Sequence, residues 1–195
     1  LTILLPTYNE VDALPKVVNT LPLEQLRAAG WEPRIVVADG RSTDGTQQTA
    51  ADLNLELIVQ GPAAGKGFGM REGFARFLAH HDDVLVMLDA DGTYAPDEML
   101  RLLEHLEKGS YDVVIGSRLR GDIQLGAMSR LNWIGNHILT WFAVALYQVF
   151  ISDVCTGYWA FRRSAIQKMS LNSTEFEIEA EMYTACATER LRMSE

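Results

Sequence analysis

A chain of 195 residues is long enough to bury one sizeable hydrophobic core, and a hydrophobic content of 48% excludes an intrinsically disordered protein. The net charge is −9, the acidic residues are scattered, and no long basic run occurs, which excludes a typical nucleic-acid-binding protein. Cys155 and Cys186 lack metal-ligand spacing, so we expect them to be reduced core residues of a protein on the cytosolic side, and we expect no secretory signal.

Strand and helix patterns alternate along residues 1–117. The predicted strands span residues 2–6, 34–38, 55–59, 84–88 and 113–116. The predicted helices span residues 14–29, 43–53, 66–80 and 96–108. This alternation predicts an α/β fold with a Rossmann-like, doubly wound, mostly parallel sheet. Because the sequence starts at Leu1 inside the pattern of the first strand, we expect the chain to be one domain of a longer protein.

Residues 131–152 contain no charged side chain and are long enough to cross a bilayer. Their apolar residues recur at helical spacing beside a polar face, which favours one or two amphipathic helices over a spanning helix. Trp133, Trp141 and Tyr147 favour a membrane surface, where such rings accumulate. The alternative is an ordinary pair of core helices.

Two carboxylates follow the most apolar predicted strand. Asp89 and Asp91 come directly after residues 84–88, and alternate residues of an extended chain share a face. Oxygen ligands suit Mg²⁺ or Mn²⁺, which in turn bind phosphate oxygens. We therefore predict a site for a metal-bound diphosphate at this sheet edge, with capping of the next helix as the alternative.

Two other strand ends are expected at the same edge. Glu10 ends the segment PTYNE and is expected to hold a ribose or base edge, and Asp39 is expected to accept a hydrogen bond from a base N–H. Asp44, in the segment STDGT, is expected to cap a helix and stabilise a turn.

The glycine-rich segment around Lys66 matches neither the P-loop nor the dinucleotide-binding fingerprint. Two interpretations remain for Gly65, Gly67 and Gly69. The segment either presents helix N–H groups to a phosphate, with charge added by Lys66, or it contains a loop that needs positive φ angles.

The second half of the chain supplies further candidate residues. Arg118 and Arg130 are expected to bind phosphate, whereas Arg120 is expected to form surface ion pairs. Residues 153–163 combine an aspartate, a glycine and aromatic residues, which suggests a pocket wall for a sugar ring. In a predicted helix over residues 176–187, Glu177 and Glu181 share a solvated face, and one of the three glutamates there is expected to point inward.

Six segments in this order closely resemble the motifs of family 2 glycosyltransferases of the GT-A fold, and within that family the dolichol-phosphate mannose synthase group and its prokaryotic polyprenyl-phosphate relatives. The segments are residues 6–10 (PTYNE), 39–46 (DGRSTDGT), 65–67 (GKG), 89–91 (DAD), 116–118 (GSR) and 153–163. The resemblance implies a nucleotide-sugar-binding half over residues 1–117 and an acceptor-binding half with interfacial helices over residues 118–195, within a single GT-A domain whose C-terminal end is expected to be truncated.

The resemblance also implies a nucleotide-sugar donor, inversion at the anomeric carbon, and a lipid phosphate acceptor. Asp89 and Asp91 would bind the metal. Arg118 and Arg130 would bind the acceptor phosphate. The nucleotide-sugar contacts would come from Pro6, Tyr8, Glu10, Asp39, Lys66, Asp89 and Ala90. A further metal ligand often found in the family is missing, because Thr93 stands near its position.

The resulting hypothesis is transfer of a hexose from GDP-mannose or UDP-glucose to a polyprenyl or dolichyl phosphate. Asp91, Arg118 and Asp153 are its catalytic candidates, Mg²⁺ or Mn²⁺ is its cofactor, and no nucleic acid is involved. The protein would lie peripherally at the cytoplasmic face of the membrane. One alternative is a soluble acceptor, for which Asp153 would be the general base. The other alternative is a non-catalytic nucleotide-sugar-binding module.

Overall fold

The computed structural model describes residues 1–61, 65–117, 140–141, 144–147 and 149–195. The strands are β1 (Thr2–Thr7), β2 (Arg34–Asp39), β3 (Glu56–Val59), β4 (Val84–Leu88), β5 (Val113–Ile115), β6 (Tyr158–Arg162) and β7 (Met193–Ser194). The helices are α1 (Leu14–Thr20), α2 (Leu23–Ala28), α3 (Thr46–Asp52), α4 (Lys66–Ala79), α5 (Met99–Lys108), α6 (Arg163–Lys168) and α7 (Ile178–Thr188). A short 3₁₀ turn, Pro96–Glu98, precedes α5.

The described strands form one sheet in the order β3-β2-β1-β4-β6-β5-β7. Every neighbouring pair is parallel except those of β6, which runs antiparallel to both β4 and β5. The expected mostly parallel α/β sheet is confirmed. The segment expected to form a sugar-pocket wall contains a central strand instead, with Trp159 opposite Met87.

Both faces of the sheet are covered, as in other doubly wound folds. Leu4 and Met87 pack on one face with helices α4, α6 and α7. Ile3 and Val86 pack on the other face with α1, α2 and α5. Strand β4 is buried along its whole length, which explains why its sequence is continuously apolar. The sheet therefore holds the residues that follow β4 on a rigid support.

Two predicted helices differ from the structure at their ends. The helix expected over residues 14–29 is interrupted at Leu21, which is extended (φ −61°, ψ 132°). Leu21 precedes Pro22, and the proline ring disfavours the helical conformation for the residue before it. The helix expected over 43–53 begins only at Thr46, because Gly45 has φ +105° and Asp44 accepts the Thr46 N–H.

The predicted amphipathic region, residues 131–152, lies mostly outside the described residues. Its described residues 140–141 and 144–147 are helical, and Trp141, Leu146 and Phe150 are exposed. Across the described part of the chain, no helix is both long enough and apolar enough to span a membrane.

Candidate active site

A cavity of about 610 Å³ opens at the carboxyl ends of β1, β2 and β4. The predicted site residues that line it are Pro6, Tyr8, Glu10, Lys66, Asp89, Ala90 and Asp91. Asp39 and Asp153 are fully buried and are not among its lining residues. Arg118, Arg120 and Arg130 lie outside the described residues. The structure thus brings together seven residues that are dispersed in sequence.

The loops after β1 and β2 are tied to each other. Asn9, with φ +56°, donates its backbone N–H to Ser42 Oγ (2.8 Å) and accepts the Thr43 N–H at its side-chain oxygen (2.9 Å). The Glu10 N–H donates to Thr46 Oγ1 (2.9 Å). Asp44 accepts N–H groups from Thr46 and from residue 11, which confirms the expected turn role. The expected capping role is wrong, because the N-cap position of α3 is occupied by Gly45. These bonds fix the backbone that carries Tyr8 and Glu10.

Asp39 supports the loop after β2 through hydrogen bonds. Its Oδ1 accepts the Ser42 N–H (3.0 Å) and the Gln47 side-chain amide (2.6 Å). Its Oδ2 is buried without a hydrogen-bond partner among the described residues. Its neighbours Ala38 and Gly40 line the cavity. The predicted contact of Asp39 with a base stays a prediction.

Backbone contacts hold the two aspartates after β4. The Asp89 N–H donates to the carbonyl of Gly157, just before β6, at 3.1 Å. Asp91 Oδ1 accepts the Thr93 N–H (2.8 Å) across a turn in which Gly92 has φ +79°. An added Cβ at Gly157 would overlap the Asp89 carboxylate, with Oδ1 at 2.8 Å and Oδ2 closer still. Glycine at 157 is therefore what leaves space for Asp89.

Lys66 bridges two carboxylates at the wall of the cavity. Its Nζ lies 2.8 and 2.9 Å from the two Asp89 oxygens and 2.6 Å from Glu179 Oε1. Burial alone would lower the pKa of Lys66, but Asp89 and Glu179 outweigh it and raise that pKa. Burial raises the pKa of Glu179, although Lys66 opposes the rise. The three groups form a charged cluster in which only 14% of the Lys66 side chain is exposed.

The three glutamates near α7 have different partners. Glu181 accepts the backbone N–H groups of residues 172 and 173, and Glu177 accepts those of residues 174 and 175. Glu179 is the inward-pointing carboxylate that the sequence predicted without identifying it. The acidic residues on the shared face are therefore not simply solvated, because they hold the loop of residues 172–175.

Close contacts with neighbouring elements explain the glycines of α4. A Cβ at Gly67 would lie 2.6 Å from the Ser173 carbonyl oxygen, and one at Gly73 would lie 2.5 Å from Leu4 Cδ1. Gly67 and Gly69 do not have positive φ angles, so the loop interpretation is wrong for them. The phosphate interpretation loses support at the helix start, because the Gly65 N–H donates to Gln60 and that of residue 68 to residue 174. Close packing is what requires these glycines.

Negative charge accumulates at the mouth of the cavity. Burial, and then the charges of Asp91, Asp44 and Asp89, raise the pKa of Glu10. The acidic residues in the described lining outnumber the basic ones, and Lys66 is already paired. No group of three or more candidate His, Cys, Asp or Glu ligands occurs among the described residues, so two aspartates are the donor set at hand. Two carboxylates suit an ion such as Mg²⁺, which keeps water and phosphate oxygens as its other ligands.

Sequence reasoning missed several lining or supporting residues. Glu175 and Phe176 line the cavity from the loop before α7, and the Lys66 Nζ lies 6.0 Å from the centre of the Phe176 ring. Tyr94 Oη accepts the Gly157 N–H and so supports the residue that contacts Asp89. The sequence signal for Phe176 was an aromatic residue next to the acidic start of a predicted helix. No comparable signal in the sequence marked Tyr94.

A mostly parallel sheet with an acidic cavity at its carboxyl edge is typical of open α/β folds that bind ligands beyond the strand ends. The chain belongs to glycosyl transferase family 2, whose sequence model matches residues 2–170. This confirms the resemblance found in the sequence.

Several curated glycosyltransferases are similar to this chain. Glycosyltransferase AglJ of Haloferax volcanii is 37% identical over 185 residues, covering 95% of this chain and 57% of that protein. Undecaprenyl-phosphate mannosyltransferase of Micrococcus luteus is 30% identical, covering 96% of this chain and 79% of the relative. Low-salt glycan biosynthesis hexosyltransferase Agl6 of H. volcanii is 32% identical, covering 100% of this chain and 46% of that protein. The chain thus spans about half the length of the two Haloferax proteins.

A solved structure shares the fold. Glucosyl-3-phosphoglycerate synthase of Mycobacterium tuberculosis, crystallised with Mn²⁺, UDP-glucose and phosphoglyceric acid, superposes with a TM-score of 0.75 at 18% identity. The match covers 99% of this chain and 67% of that one. At 18% identity, this similarity shows a shared fold and nothing more.

Proposed function

We propose that this chain carries the donor site of a metal-dependent, inverting glycosyltransferase that moves a hexose from a nucleotide sugar to a polyprenyl phosphate. One observation carries the proposal. Asp89 and Asp91 line the same cavity as Tyr8 and Glu10, at the sheet edge where open α/β folds bind ligands. The name of the Micrococcus relative, an undecaprenyl-phosphate mannosyltransferase, supports the choice of acceptor.

In this proposal Asp89 and Asp91 would hold Mg²⁺ or Mn²⁺, an ion that commonly binds phosphate oxygens and water as well as carboxylates. The bound ion would supply positive charge where negative charge develops on the leaving diphosphate. Pro6, Tyr8 and Glu10 would contact the nucleotide from the end of β1. Asp39, whose buried Oδ2 has no hydrogen-bond partner in the described part of the chain, would accept a hydrogen bond from the base.

A phosphate acceptor is already anionic, so its attack on the anomeric carbon needs no strong general base. Arg118 and Arg130 would neutralise the acceptor phosphate. Asp153 is fully buried and does not line the cavity, so it is poorly placed to take a proton from a soluble acceptor.

Peripheral attachment to the cytoplasmic face of the membrane is part of the proposal. Trp141, Leu146 and Phe150 expose large apolar surfaces close together in the chain. Such exposed groups suit the boundary between headgroups and acyl chains. A lipid-linked acceptor would then reach the enzyme from the same surface.

The decisive experiment incubates the protein with GDP-mannose or UDP-glucose, Mg²⁺ and a short-chain polyprenyl phosphate. We expect one donor to yield a sugar-labelled product that partitions into organic solvent. The Asp91→Ala variant should keep the fold, because Asp91 is exposed, and lose turnover. Full activity of that variant would refute the metal role. A water-soluble product would support a soluble acceptor, and tight donor binding without transfer to any acceptor would support a binding module.

A further inference from the structure

The ammonium group of Lys66 competes for the carboxylate that the proposed function assigns to a divalent ion. Its Nζ is almost equidistant from the two Asp89 oxygens, at 2.8 and 2.9 Å. An ion such as Mg²⁺ would lie about 2.0–2.1 Å from one of those oxygens. Two cations sharing one partly buried carboxylate repel each other. Lys66 must therefore give up at least part of its contact with Asp89 when an ion binds.

Glu179 gives Lys66 a second partner that does not face the same conflict. Its Oε1 lies 2.6 Å from Nζ, and only 7% of its side chain is exposed. The neighbouring Ile178 is buried in the core, which anchors the first turn of α7. Glu177 and Glu181 both hold the loop of residues 172–175, which fixes the start of the helix that carries Glu179.

We propose that Glu179 is a positioning residue that retains Lys66 when Asp89 takes up a divalent cation. Lys66 then stays in the cavity wall, where it can donate to the donor diphosphate instead of blocking the metal ligand. The inference rests on the proposed function, because it requires an ion at Asp89 and Asp91. It adds a role for a glutamate that does not itself contact substrate or metal.

Removal of the Glu179 charge provides the first test. Mn²⁺ affinity is measured by electron paramagnetic resonance with GDP or UDP present, for the wild type and for Glu179→Gln and Glu189→Gln. We expect Glu179→Gln to weaken Mn²⁺ binding by about tenfold, the scale typical of residues that orient metal ligands. Glu189→Gln makes the same charge change at the exposed C-terminal end of α7 and should bind as the wild type does. Thermal unfolding of each variant verifies that the fold is intact.

A double-mutant cycle with Lys66→Met separates positioning from a simple loss of negative charge. If Glu179 acts through Lys66, the effect of Glu179→Gln should shrink to about twofold or less in the Lys66→Met background. An effect of unchanged size in that background would overturn the inference, since Glu179 would then act on the ion by charge alone.

The outcomes also separate this inference from the proposed function. If Asp91→Ala abolishes Mn²⁺ binding but Glu179→Gln binds Mn²⁺ as the wild type does, the proposed metal site is supported and the proposed role of Glu179 is refuted. If the wild type binds no Mn²⁺ with either nucleotide, both the proposed metal site and the role of Glu179 are refuted. A crystal structure with Mn²⁺ and nucleoside diphosphate should show Lys66 on Glu179 and away from at least one Asp89 oxygen. Retention of both original Asp89 contacts would overturn the inference.

Discussion

Replacement of Gly157 by alanine should disable the proposed donor site without unfolding the protein. The added Cβ would overlap the Asp89 carboxylate, approaching Oδ1 to 2.8 Å and Oδ2 more closely. Non-bonded carbon atoms prefer separations of about 3.5–4.0 Å, so the carboxylate must move by roughly 1 Å or the chain must shift. The backbone of Gly157 has little freedom to shift, because its carbonyl accepts the Asp89 N–H and its N–H donates to Tyr94.

The size of the effect follows from this displacement. A misplacement of about 1 Å at a reacting centre costs on the order of 100-fold in rate. Overpacking by one methyl group in a tight site costs about 1–3 kcal/mol of stability, which a domain of ordinary stability tolerates. We therefore expect kcat/KM to fall roughly 100-fold in the transfer assay. Mn²⁺ affinity in the presence of nucleotide should fall with it.

Gly61→Ala is the matched control. Among the described residues, a Cβ at Gly61 meets no atom within 4 Å, and the φ of Gly61 is not positive, so the same chemical change should leave activity and stability unaltered. If Gly157→Ala kept kcat/KM within about threefold of the wild type, the position of Asp89 would not matter for turnover, and the reasoning would be refuted.

Two further predictions concern stability and surface binding. Partial burial alone would raise the pKa of Asp82, but hydrogen bonds from Thr2 and Arg34 lower it to about 2. A lowered folded-state pKa stabilises the protein above about pH 4, so Asp82→Asn should cost roughly 1 kcal/mol at pH 7 by urea unfolding. That difference should fade as the pH drops towards 2, and a difference independent of pH would contradict it. Phe150→Ser should weaken flotation with anionic liposomes roughly tenfold, as expected for the loss of one buried aromatic side chain. Val59→Ser, at the β3 edge, should not weaken flotation. Equal losses of flotation in the two variants would indicate general destabilisation and contradict the prediction.

The first half of the fold was predictable because its signals are local. The apolar run of β4 and the two carboxylates after it identified the strand and the cavity edge together. Strand β6 was not predictable, since its aromatic residues read equally well as a pocket wall. Its place between β4 and β5 depends on pairing with residues far earlier in the chain. The helix break before Pro22 was available in the sequence through the steric rule for residues that precede proline.

The residues of the candidate site likewise include some that the sequence could predict and some that it could not. Tyr8, Glu10, Asp89 and Asp91 were found because each follows a strand of a parallel sheet, and such ends meet at one edge. Glu179 could be described only as one of three acids, because helical periodicity gives the face of a residue and not its partner. Its pairing with Lys66 arises when α7 and α4 pack on the same face of the sheet.

The charge of the site explains why a divalent ion belongs in the proposal. Glu10 and Asp91 face a cavity whose negative field raises the pKa of Glu10, after burial itself, and Lys66 is already paired with Asp89 and Glu179. A diphosphate entering alone would add negative charge to this field. An ion held by Asp89 and Asp91 reverses the sign at the point of contact, so that the same acidic residues become an anion site. The acidity that argues against a nucleic-acid partner for the whole chain therefore also argues that donor binding depends on the cation.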